Sequence, residues 1–135
     1  MPKMKTRPIR YEAAPDIQAL FLDIVRTLDL RHVDTDRVAC LRSRGSSARR
    51  TIARCHGMSK VLQIAMGNKA FYVLEFISER FDKLEETERE ETVIHEILHI
   101  PMNFGGGFRR HDRVTAKAVA AMQKRYRTAK MRKAP

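Results

Sequence analysis

One segment constrains this chain more than any other. The run Val93-Ile94-His95-Glu96-Ile97-Leu98-His99-Ile100-Pro101 sets two imidazoles and a carboxylate among five large apolar residues. A fold that accepts it must bury most of it. Burying three titratable groups is costly unless a metal or a hydrogen-bond partner receives them. The span Glu85–His99 reads as a helix, acidic early and apolar later, which suits the helix dipole. Thr87, with Glu90 three residues on, offers a second, capped start inside that span. Pro101 cannot continue the helix, so it should end near Ile100.

The spacing within the helix points to a chemistry. Residues i and i+4 share one face a turn apart, so His95 and His99 can bind one zinc ion from the same side. Glu96 is turned away by about 100°. It can reach a zinc-activated water without being a ligand, take its proton as general base and later protonate a leaving amine. Catalytic zinc usually has three protein ligands and one open position. The third falls best on His111, twelve residues after His99 and beyond Gly105-Gly106-Gly107. That spacing is not the metzincin one, which puts the third histidine six residues after the second. The other solution, a glutamate on a later helix, is excluded because no glutamate follows Glu96. Asp112 is the alternative ligand, or it caps the last helix or orients His111. The glycine run lets the chain double back, or its N–H groups hold an oxyanion. Arg109 and Arg110 are candidate oxyanion or substrate contacts. Tyr72 and Tyr126 are candidate donors to the transition state. His32 and His56 carry no motif, and no organic cofactor site is apparent.

The rest of the chain reads as the frame for this helix. Its 135 residues suit a single domain over 1–135, with a basic arm at about 1–10 and a basic, frayed tail at about 127–135. A helix begins at Pro15 and runs to residue 29, with apolar residues at helical spacing. Arg37–Arg42 and Arg50–His56 read as strands joined as a hairpin. Ser59 caps a short helix through Met66, with a strand as the alternative. Phe71–Ile77 is the most strand-like segment, and Ser78–Leu84 turns the chain. A last helix covers 112–126. The fold expected is α+β: a small sheet of three strands, or four, packed on the N-terminal helix and the histidine-bearing helix.

Charge and cysteine usage bound the partners. The formal charge is +11, and it is segregated. Residues 42–54 hold five arginines and no acid, and residues 109–135 hold ten cations against Asp112 alone. Such surfaces favour DNA, RNA or an acidic partner. Cys40 and Cys55 form no metal or redox motif and read as reduced thiols packed in strands. No apolar run is long enough to span a bilayer, and no signal core follows the basic start. A cytoplasmic protein with no membrane partner is the expectation. The oligomeric state is not readable.

The helix segment, the glycines after it and Arg109-Arg110-His111 together resemble a family of archaeal and phage metallopeptidases. These are distantly similar to the SprT-like zincins. Ser43-Arg44-Gly45-Ser46 and the stretch Tyr72–Leu84 extend the resemblance to about residues 36–115. It implies a minimal zincin fold, His95, His99 and His111 as zinc ligands, and Glu96 as base. SprT-like proteases are associated with DNA-bound protein substrates, which would suit the basic surface.

Three functions compete on these residues. The first is a zinc metallopeptidase acting on a peptide or protein, including one carried on nucleic acid, with Phe71–Ile77 as the edge where an extended peptide docks. The second is a zinc-dependent nuclease, which the glutamate after the first histidine disfavours. The third is a non-enzymatic nucleic-acid-binding protein with a structural metal, which needs a fourth ligand that only Asp112 offers.

Overall fold

The computed structural model describes residues 8–111 and 113–133. Proline's fixed φ suits the first turn of a helix, and α1 (Pro15–Thr27) begins on one. Ile17, Phe21, Ile24 and Val25 recur along one face of α1 and are buried. Strands β1 (Arg10–Ala13), β2 (Val38–Arg44), β3 (Ala53–Gly57) and β4 (Tyr72–Ile77) form one sheet in the order β1-β2-β4-β3. β2 and β4 are parallel, and the two outer pairings are antiparallel.

Two expectations about this sheet are corrected. β2 and β3 are not a hairpin, because β4 lies between them. For the same reason the segment Phe71–Ile77 is not an edge. The cause is apolar content. β4 is buried at nearly every position, so it takes the place where both its edges are paired. β3 alternates half-buried with exposed residues and takes the rim. The fourth strand is β1, which starts at Arg10, where the region read as a basic arm ends, and covers residues assigned to no element. All four of its residues are exposed, so no burial alternation announced it.

The short helix α2 (Lys60–Met66) follows β3 as expected. The Ser59 hydroxyl accepts from the Leu62 amide at 3.3 Å, and Gly67 closes the helix at φ 65°. After β4 comes a single turn, α3 (Ser78–Phe81), where only a change of direction was expected. Next is α4 (Glu86–Leu98). Its capping box is Glu85 with Glu88, not Thr87 with Glu90. Thr87 and Glu90 instead hold α5 (Ala116–Lys133). Arg127 Nε donates to the buried Glu90 carboxylate at 2.9 Å, and Gln123 donates to Thr87 O at 2.9 Å. Lys130 pairs with Asp23 at 2.9 Å, and the Tyr126 hydroxyl donates to the same carboxylate. These anchors explain why residues 127–133 are helix rather than frayed tail.

Tyr72, Leu74 and Phe76 share one face of the sheet with Val38 and Cys40. That face forms a single core with Phe21, Ile24, Val93, Ile94 and Ile97. The result is the expected α+β arrangement, with α4 carried across the sheet. No helix among the described residues is long and apolar enough to cross a membrane.

Candidate metal centre

Helix α4 sets His95 and His99 one turn apart, with ring centroids 5.0 Å apart and their Nε2 atoms at 3.2 Å. His99 is the last residue held in helical geometry, and Pro101 then diverts the chain. The return runs through two left-handed residues, Phe104 at φ 47° and Gly106 at φ 102°. It brings the Arg109 backbone back against His99. The Arg109 amide donates to His99 O at 2.7 Å, and His99 Nδ1 donates to Arg109 O at 2.6 Å. A carbonyl only accepts, so Nδ1 carries the proton and the His99 Nε2 lone pair is left facing the site. His111 follows, with its ring 4.8 Å from that of His99 and 5.5 Å from that of His95. One ligand atom from each of the three lies within 4.8 Å of the others.

The returning loop is bolted down from below. The buried Tyr72 hydroxyl donates to Gly107 O at 2.5 Å and accepts from the Gly106 amide at 2.9 Å. Gln63 on α2 donates to Gly105 O at 2.9 Å and to Met58 O at 2.7 Å. The Phe104 ring meets that of Tyr72 edge-on at 4.8 Å. A Cβ on Gly57 would stand 2.1 Å from Gly106 O, so the end of β3 tolerates no side chain there. The Gly105 amide donates to Asn103 at 3.1 Å. With the Gly105 and Gly106 amides both engaged, the glycines turn the chain.

Burial sets the electrostatics. Glu96 lies almost out of solvent, and desolvation pushes its carboxyl up to about 7. Cys55 is pushed up to about 12 by its own burial, with a smaller push from Glu96 beside it. His95 and His99 are both held below the ordinary imidazole value, first by burial, with smaller effects from the neighbouring histidines. Neutral imidazoles have no proton for a metal to displace.

These groups open on a cleft of about 920 Å³. β3 and the residues before it, from Arg50 to Cys55, form one wall. Glu91, Thr92, His95, Glu96 and His99 form the floor, and Ala116, Val119 and Ala120 of α5 form the far wall. Phe108 and His111 complete the rim. The β3 wall and Phe108 were not read as site residues from the sequence, and Cys55 was read only as a packed thiol. The alternation of Ala53 and Cys55 with Arg54 and His56 was the available signal.

The other candidates lie elsewhere. Arg109 and Arg110 are not among the residues lining the cleft. Arg109 serves through its backbone, and its cation acts on His32, helping to hold that imidazole low behind the larger effect of burial. Tyr72 is a strut, and Tyr126 is spent on Asp23. His56 pairs with Glu75 at 2.8 Å and does not join the three histidines. Cys40 on β2 and Cys55 on β3 are free thiols packed in strands, as expected, with β4 between them. Asp112 lies outside the described residues.

A family model described as "Putative phage metallopeptidase" matches residues 9–133. No curated protein and no solved structure matches the chain.

Proposed function

The chain belongs to the phage metallopeptidase family, and from that premise we propose that it hydrolyses peptide bonds with zinc held by His95, His99 and His111 and with Glu96 as general base. The observation that carries this reading is the convergence of three imidazoles within 4.8 Å beside a buried carboxylate. The donor set fits zinc. Two nitrogen ligands on a tetrahedral zinc with bonds of about 2.0–2.1 Å stand about 3.3 Å apart, and the two Nε2 atoms here are 3.2 Å apart. Three histidines are a ligand set that catalytic zinc sites use, with the fourth position left to water or substrate.

Bound zinc supplies Lewis acidity, lowering the pKa of water and polarising a carbonyl. The protein's residues do the rest. Arg109 O fixes the His99 tautomer, and the Tyr72 strut holds the loop that presents His111. Glu96 takes the proton from the attacking water and delivers it to the leaving amine, so its buried position keeps bulk water from competing. The free edge of β3 borders the cleft and offers backbone groups to an extended peptide. Such a peptide pairs with β3, not with the interior β4.

Substrates carried on nucleic acid fit the basic charge. Lys117, Lys124, Arg125 and Arg132 are exposed along α5, the helix that walls the cleft. The test is incubation of the zinc-loaded protein with an unfolded protein and, separately, with RNA. Chelator-sensitive cleavage of the protein alone is expected. Cleavage of the RNA alone would replace this reading with the nuclease.

A further inference from the structure

The described part of the molecule carries a concentrated apolar surface that the catalytic proposal does not use. Val61, Leu62, Ile64 and Met66 on α2, with Met102 and Phe108, are each between 51% and 80% exposed. Only Gln63 of α2 turns inward, onto Met58 O and Gly105 O. A seven-residue helix with five apolar residues, none of them buried, gains nothing from water on that face, so the arrangement needs another reason.

Its position relative to the cleft supplies one. Phe108 belongs to both, because it lines the cleft beside His99, 6.3 Å away ring to ring, and is itself largely exposed. The loop that bears Phe108 is tied to α2 through Gln63 at Gly105. β3 runs from the Arg50 end of the cleft to Gly57 and leads through Met58 and Ser59 directly into α2. A peptide added to the free edge of β3 pairs best antiparallel, the more stable ladder. Its residues N-terminal to the reacting bond then lead toward Phe108 and α2. Its C-terminal residues lead toward Ile52, Val119 and Arg50. Charge narrows the choice further. Neither residues 57–74 nor residues 97–111 contain an acid, while Lys60, Lys69, Arg109 and Arg110 do lie there.

We infer that α2, Met102 and Phe108 form a recognition surface for an apolar substrate segment on the N-terminal side of the scissile bond, and that acidic residues within this segment strengthen the docking. The inference rests on the peptidase reading and extends it to a substrate class: extended, hydrophobic, acid-bearing stretches such as unfolded chains expose. The apolar part supplies affinity, and the charge steers approach.

Binding tests this apart from turnover. The probes are two fluorescent peptides of one length, one with leucines and a glutamate on its N-terminal half and the other with serines and glutamines there. Each is titrated by anisotropy against the zinc-loaded Glu96→Gln chain. The first should bind about tenfold more tightly, the gain from burying one apolar side chain or half-burying two. Val61→Ser with Ile64→Ser changes two exposed positions. It should shrink that difference markedly while leaving zinc content, thermal midpoint and affinity for the polar peptide unchanged. Equal affinity for the two peptides, or a difference that the double substitution leaves undiminished, overturns the inference. Concentration-dependent dimerisation of the parent that the double substitution abolishes also overturns it, and assigns the face to a second copy. If the peptides bind as expected but the parent cleaves none, the recognition surface stands and the peptidase reading falls.

Discussion

At the scale of single residues, the site divides into what is local in the chain and what is not. His95, Glu96 and His99 were legible because an i, i+4 pair on one helix needs no tertiary information. His111 was the preferred third candidate, with Asp112 as the alternative, and its ring lies beside the other two. The role of Tyr72 was not, because it depends on β4 lying beneath the loop. Two substitutions test these assignments. His111→Ala should weaken zinc binding by about 100-fold or more, beyond the usual effect of losing a residue that merely orients a ligand. Competition with a chromogenic chelator reads it, and an unchanged affinity would remove His111 from the ligands. Tyr72→Phe leaves the Gly106 amide and the Gly107 carbonyl without their partner. It should cost about 1–2 kcal/mol of stability and weaken zinc binding by about tenfold. Urea unfolding of the metal-free chain and the same competition assay separate the two effects.

At the scale of elements, helix periods and caps were readable and sheet order was not. Pro15, Ser59, Gly67 and Pro101 each mark a helix end by backbone chemistry that acts within a few residues. The placement of β4 between β2 and β3 depends on which strand buries most, and that becomes visible only when all are compared. The same holds for α5. Residues 127–133 read as loose charge because Glu90 and Asp23, which hold them, lie 37 and 107 positions from their partners Arg127 and Lys130. Arg127→Ala strands a buried carboxylate with only Gln123, among the described residues, for support. The Arg127 side chain is about half exposed, so the expected loss is about 1–2 kcal/mol rather than the full cost of breaking a buried pair. Urea midpoints measure it, and Glu90→Gln in the same background should recover part of the loss. Since α5 also walls the cleft, the Arg127 variant should raise KM for peptides more than it lowers kcat.

At the scale of the whole molecule, stability is linked to pH and to metal. Asp16 is held down to about 2 from an ordinary 3.8, mainly by its hydrogen bonds from Arg42, which also bonds Asp82 at 3.0 Å. Its folded value lies below its unfolded one. The contribution is therefore present above about pH 4 and is lost as pH falls toward 2. Asp16 is more than half exposed, so screening limits the effect to about 1 kcal/mol. Asp16→Asn should lower the unfolding free energy by that much at pH 7 and flatten the acid limb between pH 4 and 2. An unaltered limb would show that the Arg42 pair does not link folding to pH. Zinc at 100 times its dissociation constant should add about 2.7 kcal/mol, seen as a rise in thermal midpoint that His111→Ala reduces. If three histidines hold the metal while Glu96 moves the proton, zinc content and peptide turnover must separate when both are measured in the parent and in Glu96→Gln. One zinc per chain is expected in both proteins, with turnover lowered by about two to four orders of magnitude in the variant. A variant that keeps its zinc and cleaves as fast as the parent would rule out Glu96 as the base.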